Sequence, residues 1–158
     1  MSVGEYRVKF GKYEVTIPHD LFYTENHLWL KPVNGILRIG VTDPQVKLLG
    51  GIIVVDFQVA EGEKVAKEDV CVVLEAYKTT SNLESPLPGK ILNVNEQLSK
   101  KTRTVETDPY NEGWFLTLEP ENAGPGMEEC KKSLLDAHAY HALILKEAEG
   151  WATGAQTQ

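Results

Sequence analysis

The chain has 158 residues, 42% of them hydrophobic, enough to bury one core and a short satellite element but hardly two full domains. Its formal net charge of -7 lacks the excess of Lys and Arg that attracts phosphate backbones, which excludes nucleic acid as an expected partner. No apolar run reaches the roughly 18 residues that span a bilayer, and residues 1–10 carry charges where a signal peptide needs an apolar stretch, so a cytoplasmic protein with no membrane partner is expected.

Residues 5–17 alternate apolar and polar and break at Gly11, which predicts a hairpin within an N-terminal extension over residues 1–20. Trp29-Leu30-Lys31-Pro32 and Gly35-Ile36-Leu37-Arg38-Ile39-Gly40-Val41 read as two strands around Asn34-Gly35, a pair suited to the positive φ of a type I′ turn. Thr42 or Asp43 can then cap a short helix with Pro44 in its first turn, stopped by Gly50-Gly51. Three runs follow as strands: Ile52-Ile53-Val54-Val55-Asp56-Phe57, Val70-Cys71-Val72-Val73-Leu74-Glu75-Ala76, and a return run Lys90-Ile91-Leu92-Asn93-Val94. Turns are expected at Glu61-Gly62-Glu63 and Pro88-Gly89, and Gly113-Trp114-Phe115-Leu116-Thr117-Leu118 reads as the closing strand. After a break over 121–126, residues 127–150 read as a helix with Leu134, Leu135, His138, Leu145 and Ala148 near one side; residues 151–158 read as a flexible tail. The fold class is mainly β, a flattened barrel or sandwich.

Neither cysteine belongs to a CxxC or Cys/His cluster, so a zinc site and a disulfide scaffold are not expected, and Cys71 reads as a small buried hydrophobe. His138 and His141 have a spacing compatible with a shared metal but lack a third ligand at helical spacing, so no metal site is expected. The residue that stands out is Lys78, in Glu75-Ala76-Tyr77-Lys78-Thr79-Thr80-Ser81-Asn82, because it falls at the tip of a hairpin where a primary amine is presented to a modifying enzyme.

Five blocks occur in one order: Tyr23-Thr24-Glu25-Asn26-His27-Leu28-Trp29, Ile39-Gly40-Val41-Thr42-Asp43, the Lys78 hairpin, Ser85-Pro86-Leu87-Pro88-Gly89-Lys90-Ile91, and Asp108-Pro109-Tyr110-Asn111-Glu112-Gly113-Trp114. In this the chain resembles the H protein of the glycine cleavage system and its lipoate-carrying relatives. Biotin carriers place Met on both sides of their lysine and lipoyl domains of 2-oxoacid dehydrogenases carry Asp-Lys-Ala; Tyr77-Lys78-Thr79 fits neither. The resemblance implies a lipoyl/biotinyl-carrier-like hammerhead over residues 21–120, with lipoic acid amide-linked to Lys78 and Glu75, Gly89 and Gly113 shaping the hairpin and turns. Gly89 and Gly113 are expected to take positive φ. It also implies a non-catalytic swinging arm that is a substrate of its partners, among them a lipoate ligase or lipoyl synthase system and dihydrolipoamide dehydrogenase.

The cargo is read from departures. H proteins shelter a cationic aminomethyl group in a cleft with acidic and polar walls, and the resemblance maps that cleft onto Asn26, Leu28, Leu48 and Asn82, where two acids are replaced by Leu28 and Asn82 and a histidine by Leu48. The usual Leu-Gly-Asp is here Leu49-Gly50-Gly51. An unsatisfied buried polar group costs about 1–3 kcal/mol and a full charge more, so an apolar cleft suits a neutral or sulfur-rich cargo. The reading is therefore a carrier of sulfur intermediates for a heterodisulfide-reductase-like complex in cytoplasmic sulfur oxidation, a branch that the stretch from Ile17 to Trp29 and the added N-terminal segment resemble. The alternative is an aminomethyl carrier serving the glycine-cleavage P, T and L proteins. A further alternative is an unmodified structural or regulatory relative.

Overall fold

In the computed structural model, which describes residues 4–121 and 131–157, turn chemistry sets the first strands. β1 (Glu5–Phe10) and β2 (Tyr13–Pro18) pair antiparallel across Gly11-Lys12, where Gly11 has φ 65°, as the first central position of a type II′ turn requires. β3 (Phe22–Tyr23) leads to β4 (Leu28–Val33) and β5 (Ile36–Val41), joined through Asn34 at φ 52° and Gly35 at φ 79°, the two positive values of a type I′ turn. α1 (Asp43–Leu49) is capped by Thr42, whose Oγ1 accepts from the Gln45 amide, and it ends on Gly50 at φ 75°.

β6 (Ile52–Phe57), β7 (Lys64–Val65), β8 (Val70–Ala76), β9 (Thr80–Glu84) and β10 (Gly89–Val94) follow. Then come two short helices, α2 (Gln97–Lys100) and α3 (Arg103–Thr107), and β11 (Leu116–Pro120). A six-stranded sheet, β3-β4-β5-β11-β10-β7, and a three-stranded sheet, β6-β8-β9, contribute Leu30, Ile39, Leu74, Leu83, Ile91, Phe115 and Leu118 to one core. A second core joins the N-terminal hairpin to α4 (Ala137–Thr157): Phe10, Val15 and Ile17, alternate positions of β1 and β2, meet Tyr23, Trp29, Tyr140 and Ile144.

Three expectations change. The strand that returns from the lysine is β9, which pairs with β8, while β10 joins the other sheet between β11 and β7. β11 starts at Leu116 because Gly113 is still in the turn, its amide donating to the Asp108 carbonyl at 2.8 Å. The C-terminal helix expected over 127–150 is interrupted: residues 131–133 are helical, 134–136 are not, and α4 then runs Ala137–Thr157. Leu135 is extended and exchanges both backbone hydrogen bonds with Tyr23, each 2.8 Å, and Asp136 Oδ1 then accepts from the Ala139 amide at 2.8 Å as a new cap. At the other end Gly150 does not stop the helix, since one glycine costs only ~1 kcal/mol, and the expected tail is helical to Thr157. The break predicted over 122–126, the start expected at 127–130 and Cys130 lie outside the described residues.

Candidate functional site

Lys78 stands exposed on the turn between β8 and β9, with Tyr77 beside it between Ala76 and Thr79. The Ala76 amide donates to the Thr79 carbonyl at 2.9 Å, and the Tyr77 amide to the Gly51 carbonyl at 3.2 Å, so the turn is tied to the end of α1. A Cβ at Gly50 would sit 2.9 Å from Lys78 Cε, and one at Gly51, where φ is 116°, would sit 3.0 Å from the Tyr77 ring. The two glycines that stop α1 therefore also seat the lysine stem and its neighbour, a role the sequence reading missed. Gln45 Nε2 adds a second tie, donating to Ser81 Oγ on β9 at 3.4 Å. Glu75 is exposed on β8, opposite Val54 on β6 and Thr80 on β9.

Beside this hairpin's far end lies a cavity of about 400 Å³. Its walls come from the first block (Thr24, Glu25, Asn26, Leu28), the Lys67-Glu68 turn, the end of β9 (Glu84) with Ser85 and Pro86, and the segment 133–135. The Glu68 amide donates to the Ser85 carbonyl at 2.8 Å and the Ser85 amide to the Asp69 carbonyl at 2.9 Å, fixing two of these walls against each other. The opposite wall is a tight turn in which Leu28 N donates to Thr24 Oγ1 and His27 takes φ 71°. The lining carries three carboxylates and one ammonium, so the space is polar and net acidic.

Of the four residues mapped onto an arm cleft, Asn26 and Leu28 line this cavity, Leu28 being 3% exposed, while Leu48 and Asn82 do not. Leu48 packs into the second core with Tyr110 and Trp114. Asn82 is exposed on the outer face of β9, the face it shares with Glu84. Gly89 and Gly113 are also corrected: neither has positive φ, and each is required by space. A Cβ would lie 2.4 Å from the Glu119 carbonyl oxygen at Gly89 and 2.7 Å from the Asp108 carbonyl oxygen at Gly113. Cys71 is fully buried and its thiol is pushed up to about 11, chiefly by burial, which makes it inert to exchange with a dithiol. Among the described residues no cluster could hold a metal ion; His141 instead stacks on Tyr6 with ring centroids 4.1 Å apart.

The first block is held from behind by a buried polar network. The Tyr140 hydroxyl lies 2.8 Å from His27 Nδ1 and 2.7 Å from Thr42 Oγ1, and His27 Nε2 faces Glu147 Oε2 at 3.2 Å. Burial holds the His27 imidazole below the usual histidine value even though Glu147 pulls the other way. Helix α4 thereby fixes the residue just before Leu28.

Comparison with known proteins agrees with this architecture. The family model described as glycine cleavage H-protein matches residues 21–147. Similar relatives include glycine cleavage system H proteins of Thermus thermophilus (36% identical over 132 residues, 84% of this chain and 98% of the relative) and of Anaeromyxobacter sp. strain K (35% over 128 residues, 81% and 95%). A crystal structure of a glycine cleavage system H protein from Mycobacterium marinum superposes with a TM-score of 0.68 at 32% identity, covering 80% of this chain and 97% of that one.

Proposed function

The chain belongs to the glycine cleavage H-protein family, whose members are lipoyl carriers with lipoate on a lysine and not catalysts, and we propose that Lys78 bears the arm and that its cargo is the aminomethyl group. The observation that carries the attachment site is the seat of Lys78, an exposed amine on a turn anchored through the Tyr77 amide and the Gly50-Gly51 pair. Rigid backbone and exposed side chain suit a ligase that must recognise the shape of the hairpin as well as the lysine. The residues fit the group: no Cβ at Gly50 crowds the stem, and a cavity of about 400 Å³ lies along the same hairpin, within the range that encloses a small ligand. Attached to Lys78, whose turn is seated by Gly50, Gly51 and Gln45, lipoate would supply a dithiolane able to take up and pass on a group by thiol–disulfide chemistry. The tether replaces binding energy with local concentration at each partner, here the P, T and L proteins.

Two observations move the cargo reading away from sulfur. The relatives named above carry the glycine-cleavage name, and the cavity beside Asn26 and Leu28 is net acidic where the departures alone suggest an apolar cleft. Sulfur transfer with a heterodisulfide-reductase-like partner keeps one specific support, the neutral Leu28 and Asn82. The test is intact mass of the chain after treatment with lipoate ligase and lipoate, followed by peptide mapping. A lipoyl increment on the Lys78 peptide, absent from Lys78→Arg at unchanged melting temperature, is expected. Modification at another lysine, or none, refutes the site. Incubating the lipoylated chain with glycine and the P protein should add an aminomethyl mass; sulfur taken from a persulfide donor in its place would restore the sulfur reading.

A further inference from the structure

We propose that Glu84 is the counter-charge that holds the cationic cargo of the arm, a role that rests on the aminomethyl reading above. Leu28 and Asn82 leave the cargo's ammonium without the acids the family resemblance leads one to expect, but the outer face of β9 continues past Asn82 to Glu84. Two residues along a strand shift a side chain by about 7 Å and return it to the same face. The carboxylate is thus moved along the hairpin, away from the lysine and into the cavity wall.

Four charged groups line that cavity. Glu25, Lys67 and Glu68 are exposed, where solvent and salt screen them, whereas Glu84 is half-buried beside Leu28 and Pro86. Glu84 forms no ion pair among the described residues, Lys67 included, so its charge is available. Its position is fixed, because β9 pairs it with Val70 and the next residue, Ser85, is bound through both backbone groups to the 68–69 turn. The distance also fits. From Thr80 to Glu84 the strand runs about 13 Å. A lipoylated lysine places about 12 bonds between Cα and the nearer ring sulfur, or roughly 14 Å at the reach of an extended chain. An ammonium brought to Leu28 and Glu84 meets the half-buried one of the three carboxylates beside an apolar side chain, where the pair is stronger than in open solvent.

The experiment loads the lipoylated chain with [15N]glycine and the P protein and measures two things: the rate at which the loaded arm releases ammonia without the T protein, and amide chemical shifts on loading. Glu84→Gln should release ammonia roughly fivefold faster, with Glu84→Asp intermediate and Asp56→Asn, an exposed carboxylate outside the cavity, unchanged. The Glu84 and Ser85 amides of the unmutated chain should shift on loading and not on lipoylation alone, a readout that needs no variant. Equal release from Glu84→Gln and the unmutated chain, or no shift at these amides, overturns the role of Glu84 while leaving the cargo reading in place. Failure of the lipoylated chain to load at all sinks the cargo reading and this role together.

Discussion

Gly89 and Gly50 should respond to substitution in opposite order, because one lacks room and the other needs positive φ. At Gly89 a Cβ would fall 2.4 Å from the Glu119 carbonyl oxygen and 3.1 Å from Leu118 Cδ1. Carbon–oxygen contacts settle near 3.3 Å, so about 0.9 Å must be opened. The obstacle is main chain, and Gly89 is paired on both sides, with Pro120 and with Val65, so the opening has to part β10 from a neighbour. Overpacking of this kind costs about 1–3 kcal/mol for alanine, or roughly 2–12 °C at ~2–4 °C per kcal/mol in a chain of this size, and more for asparagine or valine. At Gly50, φ is 75° and the nearest atom to a new Cβ is on the flexible Lys78 stem, so left-handed strain of about 1–2 kcal/mol dominates and asparagine, which tolerates that region, is milder than alanine. Urea midpoints of the four unlipoylated variants, Ala and Asn at each position, decide the matter. Since β10 lies in the other sheet from the lysine hairpin, Gly89→Ala should still be lipoylated normally well below its melting temperature. Gly89→Asn matching or exceeding Gly89→Ala in stability would refute the argument from space.

Tyr140→Phe removes the hydroxyl shared by His27 and Thr42 and should cost about 1–3 kcal/mol, read as a lower urea midpoint with an unchanged slope. His27 is held below its unfolded value, so the unfolded chain binds more protons; the stability it contributes is full above pH ~6.5 and falls as pH drops below that toward the folded value. His27→Asn, which tolerates φ 71°, should flatten the urea midpoint between pH 7.5 and 5.5, and an equally steep fall in that variant would assign the dependence elsewhere. Gly51→Asp should drive its Cβ into the Tyr77 ring and slow lipoylation; Tyr77→Ala should recover part of the loss, with a coupling of at least ~0.5 kcal/mol.

What the sequence disclosed was what short-range chemistry decides. Asn34-Gly35, Gly11 and the run from Thr42 to Gly50 specify their turns and cap within a few residues, and the structure forms all of them. β9 escaped notice because Thr80, Ser81 and Asn82 are polar and only Leu83 is buried, the pattern of an edge strand that gives one apolar signal in five residues. The start of α4 was hidden for a different reason. Leu134 and Leu135 continue a helical apolar pattern, and only the pairing of Leu135 with Tyr23, far away in the chain, makes that position extended. Gly89 and Gly113 were visible as glycines, but the crowding that demands them comes from Glu119 and Asp108, and crowding leaves no mark in local sequence. Of the four positions mapped onto an arm cleft, Asn26 and Leu28, on β4 and the turn before it, line one cavity, while Leu48 on α1 and Asn82 on β9 lie outside it, a difference of facing that local sequence does not show.

The distribution of the five blocks explains why family membership was easier to read than cargo. Trp29, from the first block, lies over Gly40 of the second, where a Cβ would be 2.6 Å from the indole, and its Nε1 donates to the Pro109 carbonyl of the fifth at 2.9 Å. Tyr110 of the fifth block donates to the Thr16 carbonyl and accepts from the Asp43 amide, tying the second block to the N-terminal hairpin. Ser85 of the fourth is buried with its hydroxyl bound to the Leu87 carbonyl at 2.7 Å. These are scaffold contacts, each a close approach or a buried hydrogen bond with few permissible substitutes, so they keep their residues whatever the arm carries. The cavity wall obeys a looser rule. A flexible tether can bring its end to any carboxylate within reach, so a carboxylate at position 84 in place of one at position 82 would change which atom meets the cargo without disturbing the contacts that define the fold.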